Sequence, residues 1–287
     1  MTGARSHSGP QFLQAHVGKL KSRMGGFVPG SHVTVRGVDL HTVFKDAEWM
    51  DLYVFAITGR RLAPAQLKML QTLWTYTSYP DARLWNNRVA ALAGSARSTG
   101  ALGISAALAV SEATIYGRGV DLRAITFLQK TLTTIEAGGR IADCVRQELD
   151  LHRNIAGYGR PLTSRDERIE PTLARARELG LDQQRYLLLA QDIDQHLATG
   201  RWRMRMNYGA VASAIVADMG LTAHEYYLYG FPAFLAGMLP CYIEASETTE
   251  GALFPVACTH VQYSGKPTRT WQCSAGRPLD NNHQDAI

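Results

Sequence analysis

Beyond residue 45 the apolar positions recur mostly at helical spacing. In 64–78, Pro64 stands where a first helical residue is favoured, and Leu67, Leu70 and Trp74 fall on one face. The alanine- and glycine-rich stretch 86–112 carries few charges. Its pattern predicts a close-packing helix, or a pair broken near Gly94 to Gly100, deep in the core. Residues 121–150 read as an amphipathic helix interrupted at Gly138-Gly139. "IEPTLARARELG" has Pro171 near its start and Gly180 as a stop, and 183–198 make a further helix. "MNYGAVASAIVADMG" packs through Val211, Ala214, Ile215 and Met219 and ends at Gly220, and a last helix runs from near Pro232 to about Glu244. Only 30–36 and 256–263 alternate in the manner of strands. The predicted class is all-α.

Composition narrows the picture. The chain has 287 residues, 46% hydrophobic and 19% charged, enough for one large domain or a large and a small one with a real core. No run approaches the ~18 apolar residues of a membrane span, so a soluble, cytoplasmic protein without membrane contact is expected. Residues 1–27, with Arg5, Lys19, Lys21 and Arg23 and no acid before Asp39, read as a flexible basic N-terminal arm without a secretory block. The net charge of +5 is spread over scattered arginines, which argues against nucleic acid and suits a small anionic molecule. Cys144, Cys241, Cys258 and Cys273 show no paired short spacing, so neither a metal site nor a disulfide framework is expected.

The stretch most suggestive of chemistry is "IAGYGRPLTSRDER", residues 155–168. Gly157 and Gly159 flank Tyr158 and allow close backbone approach to a ligand, and Arg160, Arg165 and Arg168 follow with guanidinium forks suited to phosphate or carboxylate. A tight interhelical turn with solvated arginines accounts for the same residues. No GxSxG, HExxH, phosphate-binding loop or GxGxxG pattern is present. The histidines, His260 among them, are dispersed. Glu112, inside the otherwise apolar 101–116 stretch, is expected to be either half of a buried structural pair or an active-site group.

Six segments, in order over 28–265, resemble the citrate synthase superfamily in the short form of citryl-CoA-lyase-like members. They are "VTVRGVDLHTVF", "LYVFAITGRRLAPAQL", "AGYGRPLTSRDER", "MNYGAVASAIVADMGL", "FLAGMLPCYIEA" and "HVQYSG". The third is similar to the family's "PGyGHpv…DPR" loop, which wraps coenzyme A. The resemblance implies an all-α homodimer. Its large domain would take residues 28–118 and 226–270, a smaller hinged domain 119–225, and a loose tail 271–287. It implies condensation of an acyl-CoA, through its enolate, with a keto acid, using two histidines, an aspartate and carboxylate-binding arginines.

This chain departs from that set. The loop histidine falls on Arg160, and the "HGGA" histidine falls near Val110 to Glu112. The aspartate of "NvDg" has become Tyr208 or, shifted by one, Asn207, and a substrate-binding arginine has become Phe234. Arg168 retains the "DPR" arginine without the Asp-Pro ahead of it. Tyrosine, with an ordinary pKa of ~10, is no base at neutral pH, and phenylalanine binds no carboxylate. The expected function is therefore a divergent enzyme that forms or cleaves a C–C bond at an acyl thioester in specialised metabolism, its substrate not oxaloacetate. The alternative is a non-catalytic relative that binds a CoA-type ligand or a paralogous subunit.

Catalytic candidates are Arg160, Tyr208, Glu112, His260 and Asn207, and Phe234 would line the substrate pocket. Gly157, Tyr158, Gly159 and Arg168 would hold the CoA or carrier-protein thioester, with no further cofactor.

Overall fold

A computed structural model describes residues 9–18, 20–160, 165–201 and 203–269. These fall into two compact units, one ending at Leu253 and the other beginning at Phe254. Residues 1–8 of the expected arm and the expected tail 271–287 lie outside the described residues. In chain order the helices are α1 Pro10–His16, α2 Leu40–Val43, α3 Trp49–Thr58, α4 Pro64–Thr77, α5 Trp85–Ser95, α6 Gly100–Val110 and α7 Arg118–Glu136. They continue as α8 Ile141–His152, α9 Ile169–Glu178, α10 Arg185–Ala198, α11 Tyr208–Asp218, α12 Ala223–Tyr229 and α13 Leu235–Glu247. The all-α expectation holds. A short antiparallel sheet, β1 Gly25–Val28, β2 His32–Val35 and β3 Val38–Asp39, accounts for the alternation at 30–36. Part of the expected arm is thus structured: α1, which buries no residue, and the start of this sheet.

The breaks fall where the glycines put them. The Ala/Gly-rich stretch is a helical pair, α5 and α6, and Gly138, at φ 87°, separates α7 from α8. Small residues let α5 lie directly on α13, with the Gly94 position against the backbone of Tyr242. α11 buries the expected Val211, Ala214 and Ile215, with Met219 just past its end, and every other residue from Tyr208 to Ala217 except Gly209 is buried as well. It is the central helix, touching α4, α7, α9 and α10, and a helix enclosed on all sides has no polar face to show. The alternation at 256–263 does not become a strand. The described residues there form a short 3₁₀ turn, Cys258–His260, and none of them pairs with a strand among the described residues.

Candidate active site

The start of α11 is tied to the glycine-rich loop by backbone bonds that only this local sequence allows. Gly157, at φ 88°, packs against Ala210 where a Cβ would be 2.8 Å from that residue's methyl. Its carbonyl accepts from Asn207 N–H at 2.9 Å, and Gly159 N–H donates to Arg205 at 2.7 Å. Asn207 caps α11 by accepting from Gly209 N–H at 2.9 Å, while its amide donates to the Gly159 carbonyl at 2.8 Å. Tyr158 points inward and donates its hydroxyl to the Ala190 carbonyl at 3.0 Å, so it anchors the loop.

Asp166 fastens the other side of the same node. It is 4% exposed and accepts from Arg168 Nε and Nη2, each at 2.9 Å, and from the Tyr208 N–H at 2.9 Å. The Arg168 guanidinium also lies 4.4 Å from the centre of the Tyr208 ring. Burial pulls the Asp166 carboxyl upward, but the bonds and charge of Arg168 and the Tyr208 N–H prevail and hold it below its ordinary value. Asp166 stands two residues ahead of Arg168, with Glu167 between them.

A second node opens α7. Gly117, at φ 75° and packed on the Ser111 carbonyl, turns the chain into the helix. The next residue, Arg118, is only 3% exposed. It donates to Asp121 Oδ2 at 2.6 Å and to the Tyr226 carbonyl, and its guanidinium lies 4.8 Å from the Tyr226 ring centre. The guanidinium fills the space beside Gly230 that any Cβ there would occupy. Its Nε has no hydrogen-bond partner among the described residues. Burial raises the Asp121 carboxyl, against the downward pull of Arg118 and Arg168.

Between the two nodes lies a cavity of about 500 Å³. Gly159, Arg160, Asp166, Arg168, Asn207 and Tyr208 border it on one side, Tyr116, Arg118 and Asp121 on another. Trp74, Leu84, Ile115, Ala233 and Phe234 give it an apolar wall. Tyr208 donates its hydroxyl to the Leu73 carbonyl at 2.7 Å, and burial pushes it well above the ordinary tyrosine value. Burial likewise pushes Tyr116, a donor to Asn86 at 2.9 Å, up to about 12.

The cavity thus gathers Arg160, Tyr208, Asn207, Gly159, Arg168 and Phe234 from the sequence candidates. Glu112 is elsewhere: it lies past the end of α6, exposed, and accepts from the Tyr227 hydroxyl at 3.0 Å. The expectation of a buried carboxylate at 112 is corrected, since the helix ends at Val110 and the apolar window does not enclose it. His260 is exposed in the 3₁₀ turn of the second unit. Sequence reasoning missed Tyr116, Arg118, Asp121 and Asp166. One signal was available: "YGR" at 116–118 repeats the "YGR" of the glycine-rich loop at 158–160.

Neither a protein-family model nor a curated protein sequence matches the chain. Solved structures do match its fold. The citryl-CoA lyase of Hydrogenobacter thermophilus aligns with a TM-score of 0.76 at 17% identity, over 88% of this chain and 97% of that one. A citrate synthase of Thermoplasma acidophilum, in complex with carboxymethyl coenzyme A and oxaloacetate, gives 0.64 at 16%, over 80% of this chain and 60% of that one. ATP citrate lyase of Methanothrix soehngenii, in complex with citrate and coenzyme A, gives 0.72 at 13%, over 92% and 45%. The chain has the fold of the citrate synthase superfamily, as its six ordered motifs implied. It spans 60% of the matched citrate synthase and 45% of the ATP citrate lyase, and at these identities the likeness establishes the fold alone.

The Asp166–Arg168 pair yields a stability prediction. A carboxyl held below its ordinary value of 3.8 contributes stability that is complete above that value and is lost as pH falls through the lower folded one. Asp166→Asn should cost about 3 kcal/mol at pH 7, as expected for breaking a buried pair. Urea unfolding should show this gap narrowing below pH ~4.

Proposed function

We propose that the chain forms or cleaves a C–C bond at an acyl thioester, of coenzyme A or a carrier protein, with an acceptor carbonyl bearing at most one carboxylate. The observation that carries this reading is the charge balance of the cavity. Each of its three arginines is already matched: Arg118 to Asp121 at 2.6 Å, Arg168 to Asp166 at 2.9 Å, and Arg160 to Glu167 at 3.0 Å. A dicarboxylate such as oxaloacetate would bring two more negative charges into a site whose arginines each already face a carboxylate, opposite the apolar face of Phe234. A neutral or monoanionic acceptor suits both. The ligands of the citrate synthase and ATP citrate lyase structures support coenzyme A chemistry in this fold, and Gly159 borders the cavity without a side chain. Arg160, fixed by Glu167 and the Arg165 carbonyl, would serve as a stationary positive charge, because guanidinium does not release its proton in this range.

A homodimer belongs to the same reading. α6 has no charged residue, and it leaves Leu102 at 66% exposure, beside Leu92 of α5 and Leu239 and Ile243 of α13 at 44–51%. A second copy would cover such an apolar face.

Turnover of the purified chain with acyl-CoAs of graded length, each offered with aldehydes, simple ketones, monocarboxylic keto acids and oxaloacetate, tests the assignment. Product should form with a neutral or monocarboxylate acceptor, and oxaloacetate should be at least ~100-fold poorer. Binding of no thioester would refute the reading. Light scattering should give twice the chain mass, and Ile243→Glu should shift it to the monomer.

A further inference from the structure

Two carboxylates border the cavity among the described residues, and they are not equivalent. Asp166 is engaged at both oxygens, by Arg168 and by the Tyr208 N–H, and is held below its ordinary value. It is a structural anchor. Asp121 is engaged by Arg118 at Oδ2. Its other oxygen, Oδ1, lies 3.7 Å from where a Cβ on Gly209 would stand. A Cβ there would also stand 3.1 Å from Asn207 Oδ1, so glycine at 209 keeps a side chain from covering this oxygen of Asp121. The two preceding residues are engaged elsewhere, Asn207 as the cap of α11 and Tyr208 with the Leu73 carbonyl.

A further observation points to a ligand. Arg118, 97% buried by its 3% exposure, keeps an unpartnered Nε–H. Trp74, which lines the same cavity, has a buried indole N–H that is likewise unpartnered. Buried donors without acceptors are rare and costly unless something arrives to satisfy them.

We propose that Asp121 is the catalytic base, removing the α-proton of the bound thioester in the space beside Gly209, while Arg118 Nε donates to the enolate oxygen. This rests on the thioester reading above. The Asp121 carboxylate takes the proton, the C–H pair becomes the C=C bond of the enolate, and the carbonyl π pair moves onto oxygen, where Arg118 holds it. The enolate carbon then adds to the acceptor carbonyl, whose oxygen takes the proton from Asp121. One C–C and one O–H bond form, one C–H and one C=O π bond are lost, and no redox partner is required. Cleavage runs the same steps in reverse. The raised carboxyl of Asp121 suits the task, because a base whose proton affinity lies closer to that of its target transfers more readily. Of the tyrosines that line the cavity, Tyr116, Tyr208, Tyr226 and Tyr229 all have raised values and are poor candidates for a base.

The test uses the full chain in D₂O with acetyl-, propionyl- and longer acyl-CoA and the matching N-acetylcysteamine thioesters. It reads α-deuteration by mass spectrometry and binding by calorimetry. Wild type should deuterate at least one thioester, with a rate that falls as pH drops through the Asp121 value. Asp121→Asn should bind the same thioester within about threefold yet exchange it at least ~100-fold more slowly, the scale of general-base catalysis, and lose the acid limb. Asp121→Glu keeps the charge partner of Arg118 and carries the same test where the asparagine variant does not fold. It should exchange about tenfold more slowly with a displaced pH profile. Exchange at the wild-type rate and profile in either variant overturns the assignment and leaves the thioester reading standing. So does a wild type that binds a thioester but deuterates none. A wild type that binds no thioester overturns both.

Discussion

A guanidinium at 3% exposure has to be surrounded by acceptors, and the requirement of Arg118 organises this molecule. Asp121 supplies the opposite charge one turn along α7, α12 supplies the Tyr226 carbonyl and ring, and Gly230 supplies room by having no side chain. Gly117 is needed to bring Arg118 inward at all, because the turn there packs on the Ser111 carbonyl. The same pair fixes Asp121 opposite Gly209 and so joins α7 to the start of α11. From there Asp166 and Arg168 carry the connection into the glycine-rich loop. The cavity is the space left between these two nodes.

The helices were legible in the sequence because their ends are written in glycines at positive φ, as at Gly59, Gly138, Gly180 and Gly220. Their environment was less so. α11 reads as one-faced if only its bulky residues are counted, yet its run of alanine and valine carries no charge before Asp218, which is what a helix enclosed on all sides requires. Glu112 misled for the opposite reason: an apolar window suggests burial only if the helix continues through it, and α6 stops at Val110. The alternation at 256–263 looks like a strand, but pairing depends on a neighbour that no local pattern reveals.

The site divides in the same way. The path of the glycine-rich loop could be read from Gly157 and Gly159, whereas the inward turn of Tyr158 toward the Ala190 carbonyl could not. Arg118 and Asp121 were passed over because an Arg/Asp pair three residues apart on a helix is ordinarily a solvated surface pair. Only the packing of α12 over the start of α7 takes this one out of water. Burial also gives the pair chemical weight, since it raises the Asp121 carboxyl above its ordinary value. At 13–17% identity to the matched enzymes, the fold has been kept while the charges around its cavity are matched internally.

A structure of the chain with a stable acyl-CoA analogue, its sulfur replaced by a methylene, tests the central claim most directly. The acyl carbonyl should sit in the cavity between α7 and α11. Its oxygen should lie at hydrogen-bond distance, roughly 3 Å, from Arg118 Nε, and its α-carbon within about 3.5 Å of Asp121 Oδ1. An analogue bound with its acyl group away from Asp121, or with Arg118 Nε still unpartnered, would contradict the account.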